Sequence, residues 1–278
     1  MEVDVSGWED YPSRDPSVVG TIKVKRGVHS PQLDNARDIL VYLPPSYASG
    51  ISRYPVVYMH DGQNLFDRTT SFAGEWEVDQ TMEAASAEGL EAIIVAVPNM
   101  GPARCDEYSP WRDRKAGGGR GDDYVAFLAD TLKPMIDADY RTSAGRASTG
   151  IAGSSMGGLI SLYAFFRRPE VFGFTGVMSP SLWFADRAIY GFVEKQRYRA
   201  GKIYLDVGTG EGRKELDDVR GMRDLLAAKG YGRGRDLHYY VEKDGRHDEA
   251  SWARRIRREL EFLLGRTPTA NATAAQAV

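Results

Sequence analysis

The sequence predicts an α/β protein: one mainly parallel sheet of about eight strands with helices on both faces. Three observations lead there. Short apolar, β-branched runs alternate along the chain with amphipathic stretches of helical period. The chain has 278 residues, a length that α/β sheets reach as a single domain. Its composition, 42% hydrophobic and 27% charged, is that of a chain that buries a core, unlike a disordered one.

Residues 1–15 read as an N-terminal tail and residues 16–266 as the folded domain. Residues 267–278, rich in Thr, Ala and Gln, read as a disordered C-terminal tail without apolar periodicity. Thr21 to Lys25 and Arg37 to Leu43 alternate like half-buried antiparallel strands joined across His29-Ser30-Pro31. Six short apolar runs follow at Pro55 to His60, Ala92 to Val97, Thr149 to Gly153, Phe174 to Ser179, Lys202 to Val207 and Leu237 to Val241. Helices are predicted between most of them, at Val78 to Glu88, Tyr124 to Asp137, Gly157 to Arg167, Asp217 to Lys229 and Glu249 to Leu264. The insertion from Asn99 to Asp123 breaks this rhythm. Its three consecutive glycines and its basic residues Arg104, Arg112, Arg114, Lys115 and Arg120 predict a mobile surface loop of a length that often carries function.

Charge and cysteine usage exclude several classes. The net charge of -3 provides no basic excess to hold a polyanion, so nucleic acid is not an expected partner. The best interior apolar run, Ala92 to Val97, is far short of the roughly 18 residues of a membrane span. Cys105 is the one cysteine, which excludes an intramolecular disulfide and a cysteine-based metal site. The acidic start lacks the pattern of a secretory signal, and a cytoplasmic protein, monomeric or homo-oligomeric, is the expectation.

The most informative segment is Gly153-Ser154-Ser155-Met156-Gly157, which fits G-x-S-x-G between a predicted buried strand and a predicted helix. Glycines on both sides allow a strained turn that lifts the Ser155 hydroxyl above the strand ends, and the helix N-terminus adds positive potential there. The alternative is an inert Gly/Ser-rich turn. A serine nucleophile needs a base. Of the four histidines, His29 lies in an edge turn, His60 ends a strand and His238 is inside one. His247 follows the last strand and precedes the last helix, the position of the base in the chain order Ser, acid, His. The acid is then sought after the strand ending at Val207: Glu211 is the first candidate, with Asp217 and Asp218 as alternatives.

An oxyanion would be met by the backbone N–H of Met156 and by a second amide from His60-Asp61-Gly62-Gln63-Asn64, where Gly62 is read as allowing a ligand close to the N–H of Gln63. A metal held by His60, Asp61, His247 and Asp248 lacks any short-range ligand motif, so no metal and no cofactor is expected. The Gly208-Thr209-Gly210 cluster does not complete a nucleotide-binding pattern, because Arg213 stands at its sixth position. Trp76, Trp111 and Trp183 fall near the expected site, at spacings that suit either a pocket wall or the core.

These segments resemble the esterase D-like family of the α/β-hydrolase superfamily, which includes siderophore esterases, feruloyl and acetylxylan esterases, S-formylglutathione hydrolases and mycolyltransferases. The resemblance spans roughly Val19 to Gly265. It rests on Val41-Tyr42-Leu43-Pro44-Pro45-Ser46-Tyr47, on Met59 to Phe66, on Gly153 to Gly158, on Ser179-Pro180-Ser181-Leu182-Trp183 and on His247 to Trp252. It implies a single-domain α/β-hydrolase fold and a serine carboxylic-ester hydrolase with Ser155 as nucleophile, His247 as base and the amides of Gln63 and Met156 as oxyanion hole. The family's acid varies, so the resemblance does not choose among the candidates. Its substrates range from small and aryl esters to siderophore trilactones, and an acyltransferase shares the chemistry. A noncatalytic binding module on the same scaffold is the alternative of a different class.

Overall fold

The computed structural model describes residues 7–265. Both faces of its main sheet are apolar, because residues of both parities are hydrophobic along the short central strands. In chain order the strands are β1 (Glu9–Asp10), β2 (Thr21–Ser30), β3 (Asn35–Leu43), β4 (Val56–His60), β5 (Ile93–Val97), β6 (Arg112–Asp113), β7 (Gly117–Gly118), β8 (Thr149–Ser154), β9 (Phe174–Met178), β10 (Lys202–Gly208) and β11 (Leu237–Glu242). Nine of them form the sheet, in the order β1-β2-β3-β5-β4-β8-β9-β10-β11, and β6 with β7 makes a separate small hairpin. From β5 to β11 the sheet is parallel, and β1 to β3 form an antiparallel edge. All eight expected strands lie in this sheet.

The helices are α1 (Val78–Ser86), α2 (Arg104–Glu107), α3 (Gly121–Ala126), α4 (Lys133–Asp139), α5 (Met156–Arg167), α6 (Phe184–Lys195), α7 (Arg213–Ala228) and α8 (Glu249–Leu263). A π-helical stretch, Phe127–Leu132, joins α3 to α4. Val57, Met59, Ile94 and Ala96 share one core with Val78 and Met82 of α1 and Ile256 and Leu260 of α8. Val56, Tyr58, Ile93 and Val95 share the other with Leu159 and Leu162 of α5 and Val219 and Met222 of α7. Burial of each Val, Leu, Ile or Met side chain among these contributes about 1.5–3 kcal/mol, so the two layers hold the sheet from both sides.

The topology positions the site. From β4 the chain runs to β5 on one side, and from the neighbouring β8 to β9 on the other. The segments that follow β4 and β8 therefore diverge and open a crevice at the strands' carboxyl ends, the place where ligands bind in open α/β sheets.

Two expectations are corrected, and one helix is added to those expected. Residues 7–15, part of the expected N-terminal tail, are tied to the body: β1 pairs with β2, and the Trp8 indole N–H donates to Asp139 at 2.9 Å. Two anchoring aromatics, Trp8 and Tyr11, and a two-residue strand leave no periodic trace. The expected tail 267–278 lies outside the described residues. The insertion 99–123 is folded rather than loose: it contains α2 and the β6–β7 hairpin, and Glu107 of α2 forms a buried ion pair with Arg37 at 2.8 Å. Finally, α6 was not anticipated. Its first turn holds Ala185, Asp186 and Arg187 in left-handed conformations, with φ of 48°, 53° and 63°, so it offers no ordinary helix-start signal.

Candidate active site

Ser155 stands between β8 and α5 with φ 57° and ψ -120°, a strained conformation for a residue with a side chain. Its N–H donates to the Met178 carbonyl at 3.0 Å, and its carbonyl accepts from Ser181 N–H at 3.0 Å and Leu159 N–H at 3.1 Å. These bonds hold the sharp turn that directs Oγ outward. The flanking glycines have a steric reason: a Cβ on Gly153 would come within 2.9 Å of the His60 ring, and one on Gly157 within 3.2 Å of His60 Cβ. His60 is thus the floor of the turn. Its Nδ1 lies 2.8 Å from Tyr124 Oη, and burial pushes its pKa down to about 3, so it stays neutral at working pH.

His247, in the loop between β11 and α8, points its two ring nitrogens at different partners. Nε2 lies 2.9 Å from Ser155 Oγ and Nδ1 lies 2.9 Å from Glu211 Oε2. The imidazole side chain is 41% exposed while that of Glu211 is 1% exposed. The helix that follows starts immediately, with the Asp248 carboxylate accepting from Ser251 N–H at 2.8 Å as its cap. Asp248 therefore has a structural partner of its own.

Glu211 ends the 3-10 turn after β10. Its Oε1 accepts from Gly208 N–H at 2.7 Å and from Ser179 Oγ at 2.6 Å. Ser179 Oγ in turn accepts from Trp252 Nε1 at 3.1 Å and from Arg255 Nη2 at 3.0 Å. Two acceptor positions filled by N–H donors leave the single hydroxyl proton of Ser179 for Glu211. Burial raises the Glu211 carboxyl pKa, but the bonds from His247, Ser179 and Gly208 outweigh it and hold the group below the usual carboxylate range. Arg255, fully buried, also faces Asp206 at 3.3 Å and Glu242 at 3.6 Å. Burial pushes the neighbouring Asp206 up to about 6. Of the three acids considered, only Glu211 reaches the imidazole: Asp217 pairs with Arg213 and Arg220, and Asp218 with Arg187 at 2.8 Å, all along α7 and α6.

Gln63 and Met156 each stand in the first turn of a helical segment, where backbone N–H groups lack intrahelical acceptors. Gln63 is held by Asn99 N–H, which donates to its Oε1 at 3.1 Å, and by Thr70 Oγ1, which donates to its carbonyl at 2.8 Å. Gly62 is needed for a reason other than the expected one: a Cβ there would meet the backbone of β5 and its exit, Val97 N at 2.6 Å and Ala96 C at 2.7 Å. It lets the loop pack on β5, not a ligand on the loop. Beside it, Asp61 is buried and accepts from Arg104 at 2.7 and 2.8 Å and from Asn99 at 2.6 Å. Arg104 of the insertion is thus already paired.

A family model described as "Putative esterase" matches residues 30–263. The chain belongs to this esterase family. Protein YbbA of Bacillus subtilis is 27% identical over 243 residues, 83% of this chain and 93% of that protein. The siderophore enterobactin esterase of Emericella nidulans is 28% identical over 159 residues, 52% of this chain and 51% of that protein, so this relative is matched over about half its length. The crystal structure of the BES protein of Bacillus cereus has the same fold, with TM-score 0.68 at 19% identity over 92% of this chain and 97% of that one.

Three of the esterase's five tryptophans, those expected near the site, part company. Trp76 is core, 1% exposed, with its ring 5.6 Å from that of Trp252; this corrects its reading as a pocket wall. Trp111 packs edge-on against Tyr163 and Phe192. Trp183 is 41% exposed, two residues from Ser181, whose Oγ lies 3.1 Å from Ser155 Oγ. Ser179, Ser181, Trp252 and Arg255 were not singled out for any role in the sequence. Their contacts join the end of β9 to α8 and to Ser155 across long separations, which no local spacing encodes.

Proposed function

We propose that this esterase hydrolyses a small or aryl carboxylic ester through an acyl-enzyme on Ser155. The observation that carries the reading is the continuous chain of hydrogen bonds from Glu211 through His247 to Ser155, with 2.9 Å at each nitrogen of the ring. Ser155 Oγ attacks the ester carbonyl and passes its proton to His247 Nε2. Glu211, ionised and buried, holds Nδ1–H and favours the imidazolium that forms. The N–H groups of Met156 and Gln63, with the positive end of α5, receive the oxyanion. His247 then protonates the leaving alcohol, and water repeats the sequence to release the acid. Trp183 is the proposed aromatic wall for the acyl or aryl group.

The enterobactin esterase among the relatives supports a second reading, in which the substrate is a siderophore ester instead. Among the described residues no helix is long and apolar enough to cross a membrane. A single cysteine suits a reducing compartment, and the cytoplasm is the proposed location.

The test is a panel of p-nitrophenyl esters of graded acyl length beside methyl ferulate, acetylated xylan and a siderophore trilactone, each with and without a competing alcohol. Turnover of at least one ester, lost by several orders of magnitude in a folded Ser155→Ala variant, is expected. Alcohol outcompeting water would assign a transferase, and no turnover of any ester would overturn the reading.

A further inference from the structure

We infer that Ser181 is a second catalytic hydroxyl, one that donates a hydrogen bond to Ser155 Oγ and thereby speeds release of the acyl group. This rests on the Ser155 mechanism proposed above. The two Oγ atoms are 3.1 Å apart, and among the described residues Ser155 Oγ is the partner of the Ser181 hydroxyl. Ser181 is 4% exposed and locked by its backbone, its N–H on the Ser155 carbonyl at 3.0 Å and its carbonyl accepting from Phe184 N–H at 3.2 Å.

The direction of the bond follows from counting protons. The Glu211 carboxylate only accepts, so Nδ1 of the neutral His247 carries the ring proton and Nε2 is an acceptor. Ser155 gives its one proton to Nε2. The proton between the two serines therefore belongs to Ser181.

Which step gains depends on how well Ser155 Oγ accepts in each state. In the free enzyme it is a hydroxyl oxygen and takes the bond fully, so the attack on substrate starts and ends with the bond in place. In the acyl-enzyme it is an ester oxygen whose lone pair is delocalised into the carbonyl, and the bond is weak. When water adds to that carbonyl, the delocalisation ends and Oγ becomes a full acceptor again. As the C–Oγ bond then breaks, its electron pair stays on Oγ, which takes a proton from His247 Nε2. Ser181 transfers no proton but strengthens its hydrogen bond along this path. Deacylation is accelerated relative to acylation.

Ser181→Ala and Ser181→Thr separate this role from a structural one when burst and steady-state kinetics are read with p-nitrophenyl acetate. Ser181→Ala is expected to lower kcat and KM together by about three- to tenfold, leave kcat/KM within about twofold and enlarge the p-nitrophenol burst. Ser181→Thr, which keeps the donor, is expected to return kcat toward wild type; Ser181→Cys, similar in shape but a weak donor, is expected to follow Ser181→Ala. Equal losses in kcat and kcat/KM for Ser181→Ala, or no change in either, would overturn the inference. Phosphonate labelling of Ser155 in the wild type keeps the two readings apart: if Ser155 is not labelled, the mechanism itself fails, and if it is labelled but the partition is unmoved, only the role of Ser181 fails.

Discussion

The proposed mechanism asks Glu211 to do two things at once: stay ionised although buried, and present one oxygen to His247. The first is met by three hydrogen bonds that hold its pKa low, the second by Ser179 and Gly208, which occupy Oε1 and leave Oε2 for the ring. A glutamine here keeps its carbonyl oxygen on those donors and turns its NH2 toward Nδ1, which forces the tautomer that cannot accept the Ser155 proton. Glu211→Gln should therefore lower kcat/KM by about two to four orders of magnitude with a near-unchanged melting temperature, whereas Asp218→Asn should leave the activity of the folded protein within a few-fold. The reverse pattern, read with one p-nitrophenyl ester, would reassign the acid. Ser155 and His247, which the fold brings within 2.9 Å, were legible as candidates because a glycine-flanked elbow and a chain-order rule each depend on local context. Ser179 and Arg255 were not, since they act on Glu211 only after β9, β10 and α8 have come together.

At the scale of elements, the elbow after β8 and the turn after β4 depend on each other. His60, the last residue of β4, fills the space that Gly153 and Gly157 leave, and Gly62 lets the following turn rest on the end of β5. Gly62→Ala would push that turn off the β5 backbone and displace the Gln63 amide. A shift of about an ångström at a catalytic group costs on the order of a hundredfold, so kcat/KM should fall about ten- to hundredfold while the melting temperature drops only by about a few degrees. Unchanged kinetics in Gly62→Ala would remove Gln63 from the mechanism. The eight longer strands of the sheet were readable because each is a compact apolar run between turn residues. The α6 helix was hidden by its left-handed first turn, and the insertion looked loose because the partners that hold it, Arg37 for Glu107 and Asp61 for Arg104, are remote in sequence.

For the whole molecule, buried titratable groups set how stability varies with pH. Burial depresses the pKa of His60 to about 3 and of His238 to about 4, against about 6.5 for an unfolded histidine. Between these values the unfolded chain binds more protons, so both histidines withdraw stability as pH falls from about 6.5 toward 3. Asp206 and Asp79, raised by burial to about 6, act oppositely: their burial costs more as pH rises through the range from about 4 to 6. A single substitution isolates one contribution from this sum. His60→Asn should be less stable than wild type at pH 7.5, and the gap in melting temperature should narrow steadily toward pH 4; a gap independent of pH would mean that His60 is not held neutral. In the proposed mechanism these terms matter because the floor under the elbow stays uncharged while His247 above it gains and loses a proton. Each step of the proposed mechanism depends on the identity of the nucleophile. The most direct measurement is peptide mass mapping of the protein after reaction with an organophosphonate: the adduct is predicted on Ser155, with loss of esterase activity in proportion to labelling, and an adduct on any other residue, or full activity in the labelled protein, would contradict it.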